Sequence, residues 1–218
     1  MTAPIKIVTE CELSNAEFLE RYAREGCVGL AGGPSLVDKA IRRAQRRQRP
    51  DRSWSEWGHA FVFQGRRPDG HHWVIESDLE FHRRNIRLGV QENRITKYHD
   101  EEYFQSLAIL DFHLEPVQVS TLIAAGLDLV ATNTKYSLRE ILGTYLALHN
   151  IGERATANRM QKERSLFCSA FVRHLYSKVG LDFAPQIHEK HTTPEDIAQT
   201  TLPHTLYLLR REVASLKD

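Results

Sequence analysis

The sequence predicts a single α+β domain, on three observations. Helical segments come first, then apolar stretches rich in β-branched and aromatic residues, then helices again and a last strand. Segments grouped in this order build a mostly antiparallel sheet with helices packed on it. The chain has 218 residues, 41% of them hydrophobic and 26% charged, which suits one well-filled core and not a disordered chain. No apolar run approaches the roughly 18 residues needed to span a bilayer.

Ser14-Asn15-Ala16-Glu17 has the spacing of a capping box, so a helix starts there, with Phe18, Leu19 and Tyr22 on one face and Gly26 as its stop. Residues 27–30 are short and apolar, a strand, and Gly32-Gly33-Pro34 turns the chain. Leu36, Val37, Ala40, Ile41 and Ala44 mark one face of a helix reaching about residue 47, ended by Pro50. Residues 60–63 and 73–75 read as a β-hairpin joined by a polar loop over 65–70. Further strands are expected over 86–90 and 107–112, and helices from Pro116 through Leu129 and over 138–149. Residues 151–164 read as a polar loop. A strongly amphipathic helix over 167–179 ends at Gly180, a short one begins at Thr193-Pro194, and 206–209 is a last strand.

Net charge is +1 and the pI is near 7.8, so bulk charge supplies no argument for a nucleic-acid partner. Arg42, Arg43, Arg46, Arg47, Arg49 and Arg52 crowd one stretch against Asp51 alone. Without interleaved aromatics this reads as the solvated end of a helix, with phosphate binding as the alternative. The three cysteines, Cys11, Cys27 and Cys168, form no zinc-binding spacing, and His71-His72 lacks a carboxylate or thiol to complete a set, so no metal and no cofactor are expected. The opening residues show no secretory signal, so the expectation is a protein that is cytoplasmic when made, with reduced thiols, and that leaves the cell, if at all, by a signal-independent route.

Cys168 is the sharpest chemical feature. It lies in Ser165-Leu-Phe-Cys168-Ser-Ala-Phe-Val172, where a polar loop becomes a helix. Free amides and the dipole at a helix N-terminus favour thiolate, the attacking form, and the same amides suit an oxyanion. The plainer alternative is a small buried hydrophobe beside Phe167 and Phe171. A thiolate needs a base, and the base needs an orienting group. His59 opens one hairpin strand, and its partner runs Trp73-Val-Ile-Glu76-Ser-Asp78. One register pairs His59 with Glu76, Phe61 with Val74 and Phe63 with His72; a register two residues on pairs His59 with Asp78 and Phe61 with Glu76. Either puts a carboxylate beside His59. The first is the expected one, because the second sets Phe61 against Glu76. The bland alternative is an exposed strand-end histidine with a bystander acid.

These stretches together resemble a family. Val28-Gly-Leu-Ala-Gly-Gly-Pro-Ser-Leu-Val-Asp-Lys-Ala-Ile41, Glu56-Trp-Gly-His59-Ala-Phe-Val-Phe63, Trp73-Val-Ile-Glu76, Phe167-Cys-Ser-Ala-Phe-Val172 and Thr193-Pro-Glu-Asp-Ile-Ala198 are similar, in order and spacing, to the permuted papain-like cysteine hydrolases, the YiiX/YaeF-like relatives of the NlpC/P60 amidases. The likeness covers roughly residues 26 to 200. It implies a permuted papain-like fold with an antiparallel sheet against the cysteine helix, Cys168 as nucleophile, His59 as general base and then acid, and Glu76 as orienter. Some relatives use a tyrosine on the cysteine helix, for which Tyr176 is the candidate here. Residues 98–164 match nothing in the family and are expected to be a divergent helical insertion within the single domain 1–218.

The expected activity is hydrolysis of an amide through an acyl-enzyme, with peptidoglycan stem peptides as the favoured substrate class and an exported antibacterial effector, with an immunity or secretion partner, as the setting. The alternatives are an acyltransferase or phospholipase of the lecithin-retinol acyltransferase type, and a non-enzymatic binding module using the arginine stretch. Trp57 and Asp78 are auxiliary candidates, Trp57 either lining the cleft or anchoring its strand.

Overall fold

A computed structural model of the chain describes residues 5–34, 36–82, 85–132 and 168–211, with the backbone course alone at 36–37, 78–82 and 85–88. Its frame is a seven-stranded sheet. In chain order the strands are β1 (Lys6–Glu10), β2 (Val28–Gly32), β3 (His59–Arg66), β4 (His72–His82), β5 (Asn85–Arg94), β6 (Ser106–Asp111) and β7 (Thr205–Leu209). In space they run β1-β7-β6-β2-β3-β4-β5, antiparallel throughout except for the parallel pair β1 and β7. The helices are α1 (Asn15–Tyr22), α2 (Leu36–Ala44), α3 (Pro116–Ala131), α4 (Cys168–Ser177) and α5 (Pro194–Ala198), with 3-10 turns at Gln45–Gln48, Ile95–His99 and Glu189–His191.

Side-chain alternation along the strands makes two apolar layers. On one face Val28, Leu30, Ala60, Val62, Ile75 and Leu110 pack with Leu122 of α3 and with Phe171, Val172, Leu175 and Tyr176 of α4. On the other, Phe61, Phe63, Val74, Leu107 and Ile109 pack with Phe18 and Leu19 of α1 and with Ile95 and Tyr98. The expected capping box starts α1: the Ser14 amide donates to Glu17 (2.8 Å), and the Glu17 amide donates to the Ser14 hydroxyl (3.2 Å). Where β2 and β3 meet, Gly29 is required by packing. A Cβ there would lie 2.3 Å from two carbons of the Phe61 ring.

Three departures from expectation have physical causes. β1 is an exposed edge strand, so it carries no buried alternation to announce it. β4 and β5 run well beyond the apolar stretches 73–75 and 86–90, because backbone pairing continues where the side chains are polar. Residues 98–164, read as a helical insertion, carry β6, which lies between β7 and β2, and then α3. A strand in that position is integral to the sheet. The helix expected over 138–149 and the loop over 151–164 lie outside the described residues. Among those described, no helix is long and apolar enough to cross a membrane.

Candidate active site

His59 is the first residue of β3, and alternation puts its ring on the face of Phe61. Phe61 pairs with Glu76 across the β3–β4 ladder, so the strands adopt the register set aside at the sequence level, the one expected to bring Asp78 opposite His59. The meeting of His59 with Glu76 occurs nonetheless, on the diagonal: His59 Nε2 lies 2.7 Å from Glu76 Oε2. Diagonal neighbours two positions apart share a face and are within reach of long side chains. The register shifts between Phe63 and Gly65, where Gly65 has a φ of 97°. That bulge adds one residue to β3. Setting Phe61 against Glu76 carries no penalty, because the carboxylate reaches past the ring to a row of donors.

Those donors make Glu76 the most heavily bonded side chain of the site. It is fully buried. Besides His59, Oε2 accepts from the Tyr98 hydroxyl at 2.5 Å, while Oε1 accepts from Asn93 Nδ2 at 2.6 Å and Lys97 Nζ at 2.9 Å. Four donors fill the acceptor capacity of a carboxylate. Burial by itself raises the Glu76 pKa. The Lys97 charge and the hydrogen bonds from His59 and Tyr98 outweigh it and hold the carboxyl well below the ordinary range. An ionised carboxylate only accepts, so His59 Nε2 carries the hydrogen of this bond, and in the neutral ring Nδ1 holds the lone pair.

Aromatic packing fixes the same group. Tyr98 stacks on Phe61 at 4.1 Å between centroids and 14° between planes, and the His59 ring lies nearly parallel to both. Buried Asn15 at the start of α1 donates to the carbonyls of Tyr98 and Phe104, both at 2.9 Å, which anchors the 3-10 turn that presents Lys97 and Tyr98. None of Asn93, Lys97 or Tyr98 was singled out in the sequence. The available signal was a polar strand end followed by Lys-Tyr, with no way to know that β5 returns beside β4.

Cys168 is the first described residue of α4, and its side chain is partly exposed. The helix packs against β3 and β4, the strands bearing His59 and Glu76. Its body lies on the sheet face of Ala60, Val62 and Ile75, the reverse of the imidazole's. Ser169 donates to the Thr192 carbonyl at 2.6 Å, and buried Arg173 binds Asp182, the Ile187 carbonyl and Thr192. These contacts hold the first two turns to the segment leading into α5.

Trp57 is buried in the layer beneath α4, where it anchors the approach to β3. A closed set of bonds holds this approach. Ser55 Oγ donates to buried Glu195 (2.5 Å) and accepts from the Trp57 amide (3.0 Å), Gln45 donates to the Trp57 carbonyl (2.7 Å), and the Glu195 amide donates to Gln45 (2.8 Å). Glu195 is a further residue missed in the sequence, inside a Thr-Pro-Glu-Asp stretch read as a helix start and as part of the family resemblance. Tyr176 is fully buried, packs on Phe112 and Phe183, and donates to the Gly26 carbonyl. Burial, then Cys27 and Asp111, pushes its phenol well above the ordinary value. That is a core hydroxyl tying α4 to the start of β2. Asp78 pairs by backbone with Gly89 across β4 and β5, and its side chain lies outside the described residues. In the arginine stretch, Arg42 binds the Ser55 and Gly33 carbonyls and Arg49 binds Ser53, Asp51 and Glu195, while Arg43, Arg46, Arg47 and Arg52 are exposed.

No protein-family model matches the chain, and no curated protein matches it. Among solved structures it is similar to the metalloprotein YiiX from Escherichia coli O157:H7, with a TM-score of 0.54 over 87% of this chain and 98% of that one, at 12% identity. The chain has a YiiX-like fold. At this identity what the two share is the arrangement of strands and helices, including a mixed α+β sheet. The word metalloprotein is said of YiiX; among the described residues of this chain there is no group of three or more His, Cys, Asp or Glu side chains that could hold a metal ion.

Proposed function

We propose that the protein is a cysteine hydrolase of the permuted papain-like, NlpC/P60-related type, cleaving an amide bond through Cys168, His59 and Glu76. The observation that carries this reading is the buried Glu76 carboxylate bonded to His59 Nε2 at 2.7 Å, on the two strands against which the Cys168 helix packs. A fully buried carboxylate with four donors is an expensive way to hold a strand end, and an economical way to fix one tautomer of an imidazole. With Nε2–H held by Glu76, Nδ1 is the atom that exchanges protons with the reacting groups.

The chemistry requires Cys168 of α4 and His59, the first residue of β3, to meet around the end of β3. The Cys168 thiol gives its proton to His59 Nδ1, the thiolate adds to the carbonyl carbon, and amides at the start of α4 stabilise the oxyanion. The C–N bond breaks as His59 Nδ1–H protonates the departing amine, leaving a thioester. Water then gives its proton to His59 and its hydroxide to the acyl carbon, releasing the acid and the thiolate. We assign peptide amides, with peptidoglycan stem peptides as the first substrates to try, and an exported antibacterial role, in keeping with the resemblance in the motif stretches.

The test is capture of the acyl-enzyme. Incubation with an activated acyl ester adds the acyl mass to Cys168 in the unaltered chain and not in C168S, and H59N slows both its formation and its loss by about 100-fold or more. An unmodified Cys168, or equal acylation in H59N, overturns the assignment. Faster breakdown with added amines than with water identifies an acyltransferase instead.

A further inference from the structure

Orientation of His59 by a carboxylate brings a difficulty of its own. A lone buried anion 2.7 Å from an imidazole stabilises the imidazolium, and an imidazole locked in that form is no base. The groups around Glu76 answer it. Among the described residues they are His59 from β3, Asn93 and the facing Gln91 from β5, and Lys97 and Tyr98 from the 3-10 turn, with Lys97 as the cation bound to the carboxylate. Its ammonium is bound to Oε1 while the imidazole is bound to Oε2 of the same carboxylate, and it is itself only 19% exposed.

We infer that Lys97 is a positioning residue for His59 acting through Glu76: the imidazole is held by an ion pair instead of a bare anion, so its geometry is fixed without its being trapped as imidazolium. Lys97 does not touch the reacting atoms in this scheme. It keeps Glu76 ionised, which preserves the tautomer, and it offsets the carboxylate's field at the ring. Tyr98 and Asn93 supply hydrogen bonds without charge and so share in the first task and not in the second. Because His59 and Glu76 share one bond, they titrate as a pair, and the readout is the pH at which the pair takes up its proton.

The inference rests on His59 being the working base, but it is tested without thiol chemistry, in a C168S background, by following the His59 ring nitrogens by 15N NMR across pH. Replacing Lys97 by Met or Gln removes a charge bound to the other oxygen of the same carboxylate, and the midpoint should rise by about one to two pH units at an intermediate dielectric. K97R should stay within about 0.3 unit of the parent, and Y98F should shift it by less than half as much as K97M. A purely structural lysine would leave the midpoint in place in every folded variant, and a K97Q midpoint equal to that of K97R overturns the inference. If K97M and K97Q do not fold, the double variant E76Q/K97M decides. Recovery of folding supports a charge pairing, and failure of both assigns Lys97 a structural role. Lack of acylation at Cys168 with a shifted K97Q midpoint sinks the hydrolase and leaves the tuned pair intact.

Discussion

Replacing Glu76 by Gln is the most demanding test of the site, because the structure fixes both the size and the pH dependence of the loss. The carboxylate is fully buried and accepts from His59, Tyr98, Asn93 and Lys97. A glutamine keeps one accepting oxygen; turned toward Asn93 and Lys97, its NH2 faces two donors, and turned the other way it takes the His59 ring out of the tautomer held by the carboxylate. Leaving buried donors unmatched costs about 1–3 kcal/mol each, and breaking a buried ion pair from one side costs about 3–5 kcal/mol. Lys97 is 19% exposed and can turn toward water, which offsets part of this. The expected loss is therefore about 3–5 kcal/mol at pH 7, or a fall in Tm of roughly 6–20 °C for a chain of this length. Urea unfolding of both chains from pH 7 down to pH 3 is the assay. The folded Glu76 pKa lies below its unfolded value, so its contribution is complete above about pH 4.5 and is lost only as pH falls through the lower folded value. The gap between the two chains should stay open from pH 7 to about pH 4.5, with any change in that range coming from His59, which shares the bond, and close only below it. A gap under about 1 kcal/mol, or one that closes between pH 6.5 and 5.5 as for a carboxyl raised by burial, refutes the reasoning.

Y176F strips the hydroxyl from a buried ring and orphans its bond to the Gly26 carbonyl, so it should cost about 1–2 kcal/mol in urea unfolding while Cys168 alkylation keeps its rate; a slowed rate would return Tyr176 to the reaction. G29A places a methyl 2.3 Å from the Phe61 ring, on which Tyr98 stacks, and should cost about 3 kcal/mol or more; a chain as stable as the parent would show the β2–β3 packing to be wrong. Iodoacetamide should label exposed Cys11 and partly exposed Cys168 in the native chain, but Cys27 only after unfolding, since burial and then Asp111 push its thiol up; rapid native labelling of Cys27 contradicts this. Directed to the periplasm of a bacterium, the chain should slow growth, and C168S should not; equal harmlessness in periplasm and cytosol counts against a role on cell walls.

Much of the site was legible because its signals are local. The Ser14–Glu17 capping box, the 60–63/73–75 hairpin and a helix carrying the cysteine each depend on residues a few positions apart. The choice of Glu76 as the partner of His59 survived an error of register, since a two-residue slip keeps both side chains on one face. The donors to Glu76 were not legible. Asn93 reaches it from a third strand, and Lys97 and Tyr98 from a turn pinned by Asn15 of α1, so each depends on a long-range pairing. β1 escaped notice for a related reason: it buries little, and its pairing with β7 joins the two ends of the described chain.

By itself the amino-acid sequence determined the α+β class, the hairpin and the kinds of side chain on offer, because alternation, capping and turn chemistry act between near neighbours. Only the tertiary structure decided which carboxylate oxygen meets which ring nitrogen, that Glu76 is sealed from water, and that a lysine stands behind it. Burial and charge compensation are properties of surroundings, and here strands, a turn and a helix far apart in the chain supply them.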